Sequence, residues 1–112
     1  MTLTPVIKKQ LARIVGDHAV LTDEFSLALY AYDCSLSRTR PEGVVLFSNT
    51  GQVAPVLKLL HHYHIPFVPR ASATNHAGSC TALKGGVILN FTALNHILEI
   101  NTQENFAVVD PG

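Results

Sequence analysis

Residues 69–80, PRASATNHAGSC, are the part of this chain whose residue types could do chemistry. The stretch is rich in Ala, Ser, Gly and Thr, and Arg70 is its one permanently charged cation. Small residues allow a close backbone approach to a ligand, and successive free N–H groups form an anion-binding concavity. Ser72 and Thr74 add hydroxyl donors. The composition indicates a phosphate or pyrophosphate loop, but equally a plain surface turn, since neither a Walker loop nor a GxGxxG motif is present.

Histidines and cysteines are the other candidates for chemistry. A metal site could be read from His18, His61, His62, His64, His76 and His96, because His61 and His64 share a helical face. The run around His61 lacks a carboxylate or cysteine at ligand spacing, and histidines in a last helical turn interact favourably with the helix dipole. We therefore expect no metal. Cys34 and Cys80 have no close pair and no adjacent base, so we expect free thiols in a reducing, cytoplasmic setting.

Length and charge limit the classes of protein to consider. The 112 residues, 47% of them apolar, suffice for one small domain. Eight basic and eight acidic residues cancel, which removes the electrostatic footprint of a nucleic-acid or membrane-surface binder. No apolar run reaches the about 18 residues of a membrane span, and no signal peptide is expected. Only 14% of residues are charged, against about 25% usually, so we expect a part of a larger unit.

Two helices are predicted before residue 36. Thr4 and Pro5 form an N-cap and first helical position, apolar residues follow at helical spacing, and Gly16 ends the helix. A second helix is expected from Thr22 or Asp23 to about Asp33, with Phe25, Leu29 and Tyr32 on its buried side. Residues 34–43 are predicted to form a loop.

The pattern from residue 44 onwards predicts an α/β (α+β) fold. An apolar strand at 44–47, an amphipathic helix from about Gln52 and a strand at 65–68 form a βαβ unit with parallel strands. A long loop spans residues 69–86. Short strands follow at 87–90, 97–100 and 106–109, the last two hairpin-like. The predicted architecture is therefore two N-terminal helices, a βαβ unit and further short strands.

An ordered set of short motifs covers nearly the whole chain. The segments are Tyr30-Ala31-Tyr32-Asp33-Cys34-Ser35, Pro41, Val53-Ala54, Val68-Pro69-Arg70, Thr74, Gly78, Gly85-Gly86-Val87-Ile88, Leu94-Asn95-His96-Ile97-Leu98-Glu99-Ile100 and Val109-Asp110-Pro111-Gly112. In this order they resemble the first part of the FAD-binding domain of the p-cresol methylhydroxylase and vanillyl-alcohol oxidase flavoproteins. The most similar branch is that of D-lactate dehydrogenase and the glycolate oxidase D subunit.

The resemblance implies an incomplete FAD-binding domain of this type and a set of cofactor contacts. Residues 1–36 would be an N-terminal helical segment, and residues 37–112 the first part of the FAD-binding domain. FAD would be held without a covalent bond, and its contacts would be Pro69, Arg70, Ala71, Ser72, Ala73, Thr74, Asn75, Gly78, Ser79, Pro111 and Gly112. This sequence departs from the family pattern, because Ala71 and Ala73 stand where the family has glycine, and Asn75 stands where glycine is often found.

By resemblance, the full enzyme would be a flavin-dependent oxidoreductase acting on a 2-hydroxy acid such as lactate or glycolate. The substrate groups would lie in a later cap domain, so no catalytic residue is expected in this chain, which alone would be inactive. Its partners would be the remainder of the flavoenzyme, fused or separate, and an electron acceptor such as an iron–sulfur protein. Two alternatives remain open, a small non-enzymatic nucleotide- or partner-binding module and a degenerate remnant of the flavoenzyme.

Overall fold

A computed structural model describes residues 3–112 as a four-stranded sheet with helices and a separate two-stranded hairpin. The elements are α1 Pro5–Val15, β1 Val20–Leu21, α2 Glu24–Leu29, β2 Gly43–Leu46, α3 Val53–His62, β3 Phe67–Arg70, β4 Val87–Asn90, β5 Ile97–Asn101 and β6 Phe106–Val109. Single 3-10 turns, Asp17–Ala19 and Thr50–Gln52, precede β1 and α3. No helix within 3–112 is long and apolar enough to cross a membrane.

Helix α1 forms as its sequence predicts. The Thr4 side chain accepts a hydrogen bond from the Ile7 N–H at 3.4 Å, Pro5 opens the helix, and Gly16 ends it at a φ of +100°. The buried face, Ile7, Leu11 and Val15, packs into the same apolar cluster as the central strands β2 and β4. The N-terminal helical segment therefore shares one core with the part that follows it.

Three parallel strands form the centre of the fold. The sheet order is β1-β2-β4-β3, with β2 and β3 both parallel to β4 and β1 antiparallel to β2. The predicted βαβ unit is confirmed in its helix and its parallel strands, but β4 lies between β2 and β3. All four residues of β4 are buried, as a strand covered on both faces should be. The loop 71–86 is therefore the crossover between two neighbouring parallel strands.

Two details of the sequence prediction were wrong. The strand expected at 65–68 runs from Phe67 to Arg70, because its first ladder bond uses the Pro66 carbonyl and Val87 N–H. Pro69 and Arg70 thus belong to the strand rather than to the loop. Helix α2 ends at Leu29 and buries Leu27. The residues expected on its buried side are exposed, by 76% for Phe25, 50% for Leu29 and 46% for Tyr32, because a helix of two turns presents only one position to the sheet.

The β5–β6 hairpin was predicted as two strands and is confirmed, with an irregularity between Ile97 and Glu99. Apolar side chains are exposed along both strands, namely Ile97, Leu98, Ile100, Phe106, Val108 and Val109. Exposed apolar side chains gathered on one element are typical of an interaction site or an aggregation liability. The hairpin is therefore one place where the low share of charged residues leaves apolar surface exposed.

Helix α3 ends at His62 and is closed by a Schellman motif. The Ile65 N–H donates to the Leu60 carbonyl at 2.9 Å, and the His64 N–H donates to the His61 carbonyl at 3.0 Å. His64 has a φ of +53°, a left-handed conformation in which glycine is the usual residue. The backbone conformation of His64 is thus explained by the end of the helix.

Replacing His64 with glycine should stabilise the fold. His64→Gly should raise the free energy of unfolding by about 1 kcal/mol, because glycine adopts the left-handed conformation without strain. His62→Gly is the matched control, and it should lower the free energy of unfolding by up to about 1 kcal/mol, because His62 is helical. Urea unfolding measures both. A loss of stability in His64→Gly would show that the imidazole itself is needed.

Candidate functional site

The loop after β3 begins at the carboxyl edge of the parallel strands. Asn90, the last residue of β4, is paired with Leu46 of β2 on one side and Arg70 of β3 on the other. The three parallel strands therefore end at the same level, and the loop leaves from this edge. In open α/β sheets, ligands bind at the carboxyl ends of the strands, where chain connections diverge.

The backbone amides of this loop are free. Within residues 3–112, no N–H group of residues 71–79 donates to a protein acceptor. The side chains of Ser72, Thr74 and Ser79 are exposed and make no hydrogen bond to the described part of the chain. Consecutive donors without protein acceptors can bind an anion by their partial charges.

Arg70 is held at the start of the loop. Its Nη1 donates to the Tyr32 carbonyl at 2.6 Å, and its guanidinium carbon lies 5.2 Å from the centre of the Tyr30 ring. A guanidinium carries five N–H donors, so these contacts leave others for an anion. Arg70 therefore fastens the end of β3 to the segment after α2 and keeps a positive charge beside the loop.

Asp33 lies beneath the loop and is 5% exposed. Its Oδ1 accepts from the Ser35 N–H at 2.8 Å, and its Oδ2 accepts from Asn75 Nδ2 at 2.6 Å. Hydrogen bonds, that from Ser35 first, lower the pKa of Asp33 to about 2, although burial alone would raise it. Sequence analysis placed Asp33 in the motif at residues 30–35, but it did not predict the bond from Asn75 in the loop.

The middle and the end of the loop pack against the segment that follows α2 and starts at Asp33. Gly78 is buried with a φ of +74°, and a Cβ atom there would lie 2.7 Å from Ser37 Oγ. Its carbonyl accepts from Thr81 Oγ1 at 2.8 Å. Gly78 thus allows the loop to approach this segment as closely as it does. Ser79, the next residue, is exposed.

The two alanines that replace glycine differ in conformation. Ala73 has a φ of +56°, in the left-handed region, whereas Ala71 does not have a positive φ. A side chain in the left-handed region costs roughly 1–2 kcal/mol, because Cβ approaches a backbone oxygen. The departure from the family pattern therefore strains the backbone at one of these positions and not at the other.

Pro111 and Gly112 lie at the same end of the sheet as the loop. The Gly112 N–H donates to the Leu94 carbonyl at 2.6 Å, and a Cβ on Gly112 would collide with the Phe91 carbonyl. Phe91 in turn donates its N–H to the Arg70 carbonyl at 2.8 Å. The structure thus brings this pair to the edge where the loop starts, while the Gly112 N–H is already used within the protein.

Other possible sites have little support. Within residues 3–112, no group of three His, Cys, Asp or Glu side chains could hold a metal ion. Cys34 is exposed, Cys80 is half-buried, and both are free thiols. A surface groove on α1, lined by Pro5, Lys8, Lys9, Ala12 and Asp17, shares no residue with the loop. The loop at the carboxyl edge of the sheet is therefore the candidate site.

The strain at Ala73 predicts that glycine there stabilises the protein. Ala73→Gly should raise the free energy of unfolding by about 1 kcal/mol, because it relieves the left-handed strain. Ala71→Gly is the matched control and should lower it by about 0.5–1 kcal/mol, because glycine only adds freedom to the unfolded chain. Thermal or urea unfolding distinguishes the two. Effects of the same sign would contradict the assigned backbone conformations.

The lowered pKa of Asp33 predicts an acid-dependent loss of stability. Its folded pKa of about 2 lies below the ordinary value of 3.8, so the ionised carboxylate stabilises the fold above pH about 4. This contribution is lost as the pH falls from about 4 towards 2. Urea midpoints should therefore fall more steeply over this range in the wild type than in Asp33→Asn. Asp23 and Asp110, whose pKa values are also lowered, titrate in both proteins, so the difference between the two slopes reports on Asp33 alone. Equal slopes of urea midpoint against pH would contradict the assignment.

Comparisons with known proteins identify the family of this chain. The family model described as FAD binding domain matches residues 41–112. Glycolate oxidase subunit GlcD of Bacillus subtilis is 31% identical over 98% of this chain and 24% of its own length. The probable mitochondrial D-lactate dehydrogenase of Danio rerio is 28% identical over 88% of this chain and 20% of its own. The chain thus spans about a fifth to a quarter of these curated relatives.

Solved structures show the same fold. The crystal structure of p-cresol methylhydroxylase with substrate bound superposes with a TM-score of 0.83 at 25% identity, over 96% of this chain and 22% of that one. A structure of alkyldihydroxyacetonephosphate synthase gives a TM-score of 0.79 at 17% identity, over 95% of this chain and 24% of that one. The resemblance read from the ordered motifs is confirmed. The chain belongs to the FAD-binding domain family, and it has the fold of the first part of the p-cresol methylhydroxylase type of flavin-binding domain.

Proposed function

We propose that this chain binds the pyrophosphate of FAD through residues 69–79. The observation that carries the proposal is the run of backbone N–H groups from 71 to 79 with no protein acceptor within 3–112. Backbone donors and the hydroxyls of Ser72 and Thr74 can meet two phosphate charges without a helix dipole. Arg70 adds a fixed positive charge at the start of the loop. The chemistry of this donor set therefore fits a pyrophosphate.

A hydrogen-bond acceptor in the loop that has no donor is also consistent with a cofactor that extends beyond the pyrophosphate. Asn75 Oδ1 is buried and has no hydrogen-bond donor among the described residues. Buried polar atoms are normally paired, so a hydroxyl donor on a bound cofactor or an ordered water would satisfy it. The proposed cofactor contacts are Pro69, Arg70, Ala71, Ser72, Ala73, Thr74, Asn75, Gly78, Ser79, Pro111 and Gly112. Residues 1–36 would support this FAD-binding part, 37–112, through the shared core.

We further propose that the flavin acts in an oxidoreductase for a 2-hydroxy acid such as lactate or glycolate. The printed names of the relatives, glycolate oxidase and D-lactate dehydrogenase, support this substrate class. The bound flavin would accept a hydride equivalent from the substrate Cα. The residues of this chain bind and orient the cofactor, and the groups that handle the substrate lie in another part of the flavoenzyme.

The exposed β5–β6 hairpin supports a covering partner. Six large apolar side chains on it face solvent, among them Ile97, Ile100 and Val109. We propose that the remainder of the flavoenzyme, fused or separate, covers this hairpin, and that electrons pass on to an acceptor such as an iron–sulfur protein. We place the protein in a reducing, cytoplasmic compartment, which would keep Cys34 and Cys80 as thiols. The flavin would be held without a covalent bond.

The proposal predicts that the protein selects FAD over flavins without a pyrophosphate. In a fluorescence titration, FAD should bind more tightly than FMN, and riboflavin should bind weakest. Ser72→Asp should weaken FAD binding by at least about tenfold, because a carboxylate beside the phosphates repels them. Riboflavin binding should change little, because riboflavin carries no phosphate.

Thr102→Asp supplies the matched control. Thr102 lies in the turn between β5 and β6 and is exposed, so it gains the same charge away from the loop. FAD binding should then stay at the wild-type level. Equal affinity for FAD and riboflavin, or equal losses in both variants, would contradict a pyrophosphate site in residues 69–79. Release of intact FAD on acid precipitation checks that attachment is non-covalent.

A further inference from the structure

We propose that Asp33 is a positioning residue that holds the pyrophosphate loop in its binding conformation through Asn75. The inference rests on the proposed function, because Asp33 would order the same loop that is proposed to bind the pyrophosphate. Asp33 itself is buried and contacts the loop through the side chain of Asn75. Its effect on the cofactor would therefore act through the conformation of residues 71–79.

The hydrogen bonds of Asp33 join two distant segments of the chain. One carboxylate oxygen accepts from the Ser35 N–H in its own segment, and the other accepts from Asn75 Nδ2, 42 positions away. Charge-assisted hydrogen bonds of this kind are stronger than those between neutral groups. The Asp33 carboxylate thus connects the middle of the loop to the segment after α2.

The segment that carries Asp33 contacts the loop at two further points. Arg70, at the start of the loop, donates to the Tyr32 carbonyl, and Gly78, near its end, lies against Ser37. The segment is in turn stiffened by Arg38, whose Nη1 donates to the carbonyls of Ser35 and Ser37 at 2.9 and 2.8 Å. The hydrogen bond from Asn75 to Asp33 fixes the middle of the loop, between these two contacts.

The contact at Asn75 matters because, within residues 3–112, the loop has no backbone N–H hydrogen bonds of its own to restrain it. The N–H groups of residues 71–79 make no hydrogen bond within the described chain, so no backbone ladder restrains them. A loop that must be ordered by its ligand loses conformational entropy on binding, and a preorganised loop does not. By fixing Asn75, Asp33 keeps the N–H donors free for a ligand while restricting their positions.

The test compares Asp33→Ala, Asn75→Ala and the double variant in the full chain. Loop order is measured by 15N relaxation of the amides of residues 71–79, and affinity by FAD fluorescence titration. Asp23→Ala is the matched control, since Asp23 also accepts a backbone N–H, from Ser26 at 2.9 Å, but at the start of α2. Asp33→Asn is the conservative variant, because a carboxamide can accept from Ser35 and donate to a rotated Asn75 amide.

We expect Asp33→Ala to lower the order parameters of the loop amides from about 0.8 to below about 0.6, with the sheet unchanged. FAD affinity should fall about tenfold. Asn75→Ala should loosen the loop to a similar degree, and the double variant should be no looser than Asp33→Ala. Asp33→Asn should restore the order of the loop, and Asp23→Ala should leave both loop order and affinity unchanged.

Several outcomes would overturn the proposal. A loop that stays ordered in both Asp33→Ala and Asn75→Ala would show that the carboxylate does not position it. Equal losses in Asp33→Ala and Asp23→Ala would show general destabilisation instead. If Asp33→Ala does not fold, Asn75→Ala decides, because it leaves the Asp33–Ser35 bond intact. A wild type that binds no FAD would contradict the proposed function, whereas the relaxation data would still decide whether Asp33 orders the loop.

Discussion

The parallel pairing of β3 with β4 is the constraint on which the candidate site depends. Parallel neighbours cannot be joined by a tight turn, so the chain must return from the carboxyl end of one strand to the amino end of the next. Here it does so through residues 71–86 without a helix. A connection of this kind leaves backbone N–H groups without helical or ladder acceptors. The same topology that completes the sheet therefore creates a run of free donors at its carboxyl edge.

Binding through backbone N–H groups, as proposed for this loop, would tolerate alanine where the family pattern has glycine. An N–H group is present whether a position carries glycine or alanine, so the donors survive the change at Ala71 and Ala73. What changes is the conformational energy, and only Ala73 has the left-handed backbone that makes a Cβ costly. The consequence is strain at one residue rather than loss of a binding group. We infer that the substitutions tune the loop without removing its chemistry.

Much of the fold could be predicted from local patterns. The cap at Thr4, the apolar run at Val87 and the turn-separated strands of the hairpin are signals carried by adjacent residues, and the structure confirms each. The placement of β3 depended instead on its pairing with β4, which starts the ladder at the Pro66 carbonyl. Likewise β1, Val20–Leu21, is too short to show a period, and its partner β2 defines it.

The candidate site likewise combines features that adjacent residues indicate with contacts between residues far apart in the sequence. The small residues and hydroxyls of the loop were compatible with an anion site or a plain surface turn, and only the ordered family motifs favoured the anion site. The contribution of Asp33 could not be predicted in this way, because its partner Asn75 is far away in the chain and meets it only in the folded protein. Asp33 was noted only as part of a motif, and its hydrogen bond with Asn75 joins residues 42 positions apart. Tertiary packing therefore decides which polar residues support the loop.

Mapping of the FAD contact by NMR would decide whether residues 71–79 bind the pyrophosphate. The amide resonances of the 15N-labelled chain would be followed as FAD is added, with riboflavin added in parallel. We expect the largest FAD-specific shifts on residues 71–79, where free N–H groups would donate to the phosphates, and no change of these amides with riboflavin. FAD-specific shifts confined to the α1 groove or the β5–β6 hairpin would contradict this proposal.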